Sequence, residues 1–197
     1  RMSVLGHRPI CQDTGTAQVF IKLGLEVQFY RYDQKPLQSL QALINEATRR
    51  AYTNPSNPLR ATTIADPLGG RENTKDITPG QLFCEVTEGD LLEILVVAKG
   101  GGGDVKARFA TLNPSDSVAD WVIEQLPGMG AGWCPPGVLG LGIGASPEQA
   151  TLLAKQALFE PIDIDLLRER GAKTSEEKLR LELFDRINAL QIGAQGL

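Results

Sequence analysis

The sequence has no apolar run long enough for a bilayer, no block of basic residues, no internal repeat and no low-complexity tract. The longest apolar stretches, Leu91–Ala98 and Gly137–Ala145, fall far short of the ~20 residues a membrane-spanning helix needs. Twenty basic against 24 acidic side chains give a net charge of −4 with no Lys/Arg cluster, so nucleic acid and anionic membrane are poor partners. Nothing after Met2 reads as a signal peptide. The three cysteines are therefore expected as thiols or metal ligands in a reducing compartment, the cytoplasm, rather than as a disulfide set. Arg1 is not a natural start, and Gln191–Leu197 stops in a glycine-rich turn. The expectation is an internal piece of a longer protein.

What is present is enough for a folded core. Hydrophobic residues make up 42% and charged residues 22% of 197, which excludes wholesale disorder. Ala17–Leu23 and Glu26–Tyr30 alternate as strands do, with Gly24 between them. Leu37, Leu40, Leu43, Ile44, Ala47 and Ala51 recur at helical spacing up to Tyr52, before Asn54-Pro55. Residues 53–81, rich in Pro, Gly, Asn and Thr, read as a long ordered loop. Leu82–Val86 and Leu91–Ala98 read as two strands of a hairpin around Glu88-Gly89-Asp90. Val118–Leu126 reads as a helix capped by Ser117, and Gly137–Ile143 as a buried strand. Further helices open at Ser146-Pro147-Glu148-Gln149 and at Thr174-Ser175-Glu176-Glu177. The pattern predicts an α/β (α+β) fold, a mixed β-sheet flanked by helices, as one domain over residues 1–197.

Three segments are expensive for a chain concerned only with folding. They are Arg8-Pro9-Ile10-Cys11-Gln12-Asp13-Thr14-Gly15-Thr16, Lys99-Gly100-Gly101-Gly102-Gly103-Asp104-Val105-Lys106, and Trp133-Cys134-Pro135-Pro136-Gly137 leading into Gly140-Leu141-Gly142-Ile143-Gly144. Consecutive glycines at a strand end sacrifice chain entropy, and the usual return is close backbone approach to a ligand, with N–H groups facing an anion. Asp13-Thr14-Gly15 is the aspartic-protease tripeptide, but no second copy supplies the paired carboxylate. Gly140-x-Gly142-x-x-Ala145 fits the loose dinucleotide fingerprint, which is weak alone. It leaves a non-catalytic anion- or dinucleotide-binding module as a rival reading.

Taken together, Cys11-Gln12-Asp13-Thr14-Gly15-Thr16-Ala17, Ala98–Gly102 with Lys106, Leu112-Asn113-Pro114-Ser115-Asp116 and Cys134-Pro135-Pro136 with Gly140–Gly144 resemble class I fumarate hydratase. This is the oxygen-sensitive iron–sulfur hydro-lyase family that also contains L-tartrate dehydratase. The likeness continues in order through Asn57-Pro58-Leu59-Arg60, Asp66-Pro67, Asn73-Thr74-Lys75-Asp76, Leu152–Lys155 and Ile192–Gly196.

The resemblance implies a fragment of the cluster-binding, N-terminal domain of a two-domain enzyme of the tricarboxylic acid cycle. That enzyme hydrates fumarate reversibly to L-malate, with L-tartrate dehydration as the alternative. It implies a 4Fe–4S cluster held by three thiolates, Cys11 and Cys134 being two and the third lying beyond Gly193–Gly196; the isolated fragment would hold it incompletely and be inactive. Asp13 is the implied catalytic residue, and Gln12, Arg60, Gly101 and Gly102 the implied substrate-binding ones. The implied partners are a small dicarboxylate, the C-terminal domain of the same enzyme and a second copy in a homodimer. Cys84, in the alternating strand around it, is expected to be a structural thiol, and His7 a loop residue. Lys99 and Lys106 are expected either to add positive potential or to be solvated. Gly103-Asp104-Val105 departs from the family's Ser and Glu-Asn, and Ala145 stands where a second glycine is commoner.

Overall fold

The computed structural model describes residues 5–7, 15–31, 33, 35–133 and 137–193. Its contacts divide into two compact units, Arg1–Gly101 and Gly102–Leu197.

The first unit is built on a three-stranded mixed sheet in the order β2-β1-β3. Strand β1 (Thr16–Gly24) is central, parallel to β2 (Gln81–Thr87) and antiparallel to β3 (Leu92–Lys99). A central strand is covered on both faces, and Ala17, Gln18, Val19 and Ile21 are all buried. The polar Gln18 is accommodated because its amide donates to Thr16 Oγ1 at 3.1 Å. Phe20 stacks on Phe83 across the β1–β2 pair, with ring centroids 4.7 Å apart.

The expected β2–β3 hairpin does not form. The outer strands straddle β1, and their short connection crosses its end. Gly24 N donates to Leu91 O, Leu25 N to Thr87 O and Glu26 N to Gly89 O, each at 2.9 Å. A Cβ on Gly24 would lie 2.3 Å from Gly89 O, so only glycine lets the connection pass. Glu26–Tyr30 is likewise not a strand. The alternation there is real, with Val27 and Phe29 half-buried between exposed neighbours, but the crossing connection takes the amides of Leu25 and Glu26.

Helix α1 (Leu40–Thr53) is capped by Ser39, whose hydroxyl accepts from Ala42 N. It grips the entry to β2: Gln41 Nε2 donates to Gly80 O at 2.8 Å and Gly80 N to Asn45 Oδ1 at 3.1 Å. Gly80 itself lies against Ile44 and Thr48.

The second unit holds α2 (Gly101–Asp104, whose first residue ends the other unit), α3 (Val118–Met129), α4 (Pro147–Ala157), α5 (Ile164–Arg170) and α6 (Ser175–Asn188). The caps read from sequence are in place: Ser117, Ser146 and Thr174 accept from Asp120 N, Gln149 N and Glu177 N. Helix α5 carries no long periodic pattern; its signal is Asp163, which caps Leu166 N at 2.8 Å. Ala119, Val122 and Leu126 of α3 form the core with Leu183 of α6, and Leu179, Ile187 and Leu141 pack on it. Arg186 of α6 also reaches Asp120 of α3 at 2.7 Å.

Gly137–Ile143 is not the buried strand expected. Val138 and Ile143 are more than half exposed, and the segment runs against α4 instead. A Cβ on Gly140 would sit 2.1 Å from Ala154 O, and one on Gly142 1.9 Å from Ala150 O. The alternation is that of a chain with glycines toward a helix backbone and Leu141 toward the core. The sheet is mixed, and of the described helices all but α1 follow it in sequence, an α+β fold as expected.

Candidate functional site

The register of β1 and β3 brings Gly15-Thr16, the end of one costly segment, against Lys99-Gly100, the start of another. Thr16 pairs with Lys99. Gly15, the residue that follows Cys11-Gln12-Asp13-Thr14, sits so tightly on the Lys99–Gly100 backbone that a Cβ would fall 1.7 Å from Lys99 O. Its φ of 61° is the left-handed region that favours glycine. Gly15 thus leads into β1 where the glycine run leaves β3. Cys11, Gln12 and Asp13 themselves, and Cys134, lie outside the described residues.

The glycine run does not continue as an open loop. Gly101 and Gly102 belong to the single helical turn α2, and Lys99 Nζ donates to Gly100 O at 3.1 Å. Arg60 lies, exposed, on the segment between α1 and β2. That segment has more order than its composition suggests. Ile64 bridges to Asn73, with Ala65 N donating to Glu72 O and Thr74 N to Thr63 O, both at 2.8 Å. Asp66 closes the intervening turn by accepting from Gly69 N and Gly70 N, both at 3.0 Å.

The segment's far end is pinned by Asp76, which accepts from Thr78 N at 3.0 Å, Thr78 Oγ1 at 2.6 Å and Arg49 Nε at 2.9 Å. Burial pushes the Asp76 carboxyl up, but the Thr78 and Arg49 hydrogen bonds outweigh it and hold the group below its ordinary range. Ile77 beside it is among the most completely buried side chains described.

In the second unit, the residues after the glycines are tied to the surroundings of the third segment. Asp104 Oδ1 pairs with Lys155 Nζ of α4 at 2.9 Å, each side chain about a quarter exposed. The end of the Lys106 side chain lies over Gly132, where a Cβ would be 2.7 Å from its Cε. The Trp133 ring covers Gly137, on the far side of Cys134-Pro135-Pro136 in sequence. Gly140 and Gly142 are spent on the backbone of α4, which weakens their reading as a nucleotide cradle. The Asp104–Lys155 pair was missed at the sequence level. Asp104 is visible only as a departure from the family pattern and Lys155 as part of a matching stretch; no spacing rule links them.

An iron–sulfur cluster takes thiolate ligands. Among the described residues no group of three or more His, Cys, Asp or Glu side chains could hold a metal ion. Cys84 is a free, exposed thiol on the outer strand β2, so it does not suit a ligand position. The soft donors whose chemistry fits are Cys11 and Cys134. Lys99 and Lys106 border the glycine turn at either end. His7 lies in a turn with a φ of 47° and is exposed.

No helix among the described residues is long and apolar enough to cross a membrane. Comparison with known proteins gives relatives along nearly the whole chain. An Escherichia coli protein named L(+)-tartrate dehydratase subunit alpha is 33% identical over 194 residues, covering 97% of this chain and 60% of the relative. A Methanocaldococcus jannaschii protein named putative L(+)-tartrate dehydratase subunit alpha is 32% identical over 197 residues, 96% of this chain and 64% of its own. The chain therefore spans about three fifths of the length of these curated relatives. The family described as fumarate hydratase (Fumerase) matches residues 1–197, and with that match across all three motif segments, the chain belongs to the fumarate hydratase family.

Proposed function

We propose that this chain is the cluster-binding part of a hydro-lyase that adds water to fumarate, or removes it from L-malate. The observation that carries the reading is the seating of Gly15, next in sequence after Cys11-Gln12-Asp13-Thr14, on the Lys99–Gly100 backbone that opens the glycine run. Membership of the fumarate hydratase family supports it.

The reaction requires removal of a weakly acidic C–H proton and departure of hydroxide, a poor leaving group. Cys11 and Cys134 would hold a 4Fe–4S cluster, with a third thiolate from elsewhere in the whole enzyme. When bound, such a cluster with an open iron supplies Lewis-acid polarisation of the substrate hydroxyl. The chain's own residues do the rest. The planar guanidinium of Arg60 clamps a carboxylate in two parallel hydrogen bonds, which Lys cannot match. The backbone N–H groups of Gly101 and Gly102 and the Gln12 side-chain amide donate to the substrate. Asp13 hydrogen-bonds near the leaving hydroxyl and, paired with a histidine of the whole enzyme, passes it a proton.

L-tartrate is the second reading for substrate, favoured by relatives that carry that name. Their designation as alpha subunits further supports assembly with a second polypeptide or domain, and a homodimer is the expected higher assembly. A reducing, cytoplasmic setting suits the thiolates. The test is anaerobic reconstitution of the full-length enzyme, with kinetics on L-malate and L-tartrate. Turnover of malate with cluster absorbance lost in Cys11→Ser and Cys134→Ser is expected. A preference for tartrate of about a hundredfold, roughly 2.7 kcal/mol in transition-state binding, would transfer the assignment to the second reading. Tight nucleotide binding without iron would remove both.

A further inference from the structure

Glycines carry no side chain to fix them, so a run of four can present an N–H group in one direction only if its ends are held. At the far end, the structure supplies a tether. Asp104 closes the turn α2 and pairs with Lys155 at 2.9 Å, with only 26% and 23% of their side chains exposed. An ion pair so sheltered keeps a defined geometry better than a fully exposed one.

The helix that carries Lys155 is itself anchored. Its Ala150 and Ala154 carbonyls lie in close approach to Gly142 and Gly140, and Ser146 and Pro147 fix its first turn. Helix α4 is therefore the fixed body and the glycine turn the part that is held. Two residues beyond Asp104, Lys106 rests over Gly132, so the same stretch is fastened a second time.

We propose that Lys155 is a positioning residue, whose ion pair with Asp104 fixes α2 so that its backbone N–H groups face the substrate carboxylate. The inference rests on the dicarboxylate reading above. Lys155 touches neither substrate nor cluster; it acts through Asp104 and the turn.

The test uses the full-length enzyme, reconstituted anaerobically and assayed on L-malate and L-tartrate. Lys155→Met should raise KM about tenfold on whichever dicarboxylate is turned over, with kcat within about twofold and Tm little changed. Lys155→Arg, which keeps the charge, should recover most of the loss. Asp104→Asn should match Lys155→Met, and the double variant should be no worse than either alone. An unchanged KM in Lys155→Met, a joint fall of kcat and Tm, or fully multiplicative single effects would each overturn the proposal. If the wild-type enzyme turns over neither dicarboxylate, the functional reading fails by itself. The tether is then read by amide exchange: residues 102–106 should exchange about tenfold faster in Lys155→Met while the α3–α6 core is unaffected. Equal exchange in both proteins would overturn it.

Discussion

Replacing Gly15 by alanine should loosen the sheet end that carries the candidate site. Two separate penalties arise. A φ of 61° places the new side chain in the left-handed region, at about 1–2 kcal/mol. The added Cβ would lie 1.7 Å from Lys99 O and 2.7 Å from Gly100 Cα. Both are backbone atoms, so no side chain can swing aside and the Thr16–Lys99 pair must open. Forced overpacking of this kind costs about 1–3 kcal/mol. Gly89→Ala is the control, because its φ of 83° brings the first penalty while nothing lies within 4 Å to bring the second. Thermal unfolding of the two variants should therefore differ by about 1–3 kcal/mol, or roughly 3–10 °C in Tm for a chain of this size. Equal Tm values for the two variants would refute the close approach of Gly15 to the Lys99–Gly100 backbone.

Gly128→Ala should do the opposite. It lies within α3 with open space around the new Cβ, so urea unfolding should show a gain of about 0.5–1 kcal/mol. Glu177 is held down to about 2 by Arg170, and further by the Lys173 N–H. A depressed carboxylate stabilises the fold above its unfolded value and loses that contribution as pH falls. The Tm gap between wild type and Glu177→Gln should thus be full above about pH 4.5 and close toward pH 2. Cys84 is exposed and free, so a thiol reagent should modify it in the native protein, and Cys84→Ser should remove one rapid equivalent.

Local signals survived folding and long-range ones did not. Ser39, Ser117, Ser146 and Thr174 cap helices because a hydroxyl and the amides it satisfies lie within one turn. Glu88-Gly89-Asp90 does bend the chain between two strands, but a bend does not say what passes beneath it. The hairpin inferred from it fails because β1, from far upstream, takes the place between the two strands. Gly137–Ile143 read as a buried strand, but Gly140 and Gly142 lie against carbonyls of α4, two residues apart as in a pleated strand. At the candidate site, the glycine run stood out by its composition. Its attachment to Lys155 did not, since an ion pair across the fold leaves no pattern in either neighbourhood.

A nascent chain meets β2 and β3 together, long after β1 has been made. Their connection is short enough to close on a microsecond timescale, whereas pairing Gln18 with Gln81 must first gather a long stretch of polypeptide. Direct β2–β3 zippering is thus the nearest kinetic competitor, and reaching the native arrangement requires β1 to prise those strands apart and take both as neighbours. Variants that rigidify Glu88–Asp90 as a tight reverse turn should therefore trap the chain and retard refolding, even where they leave the finished sheet intact.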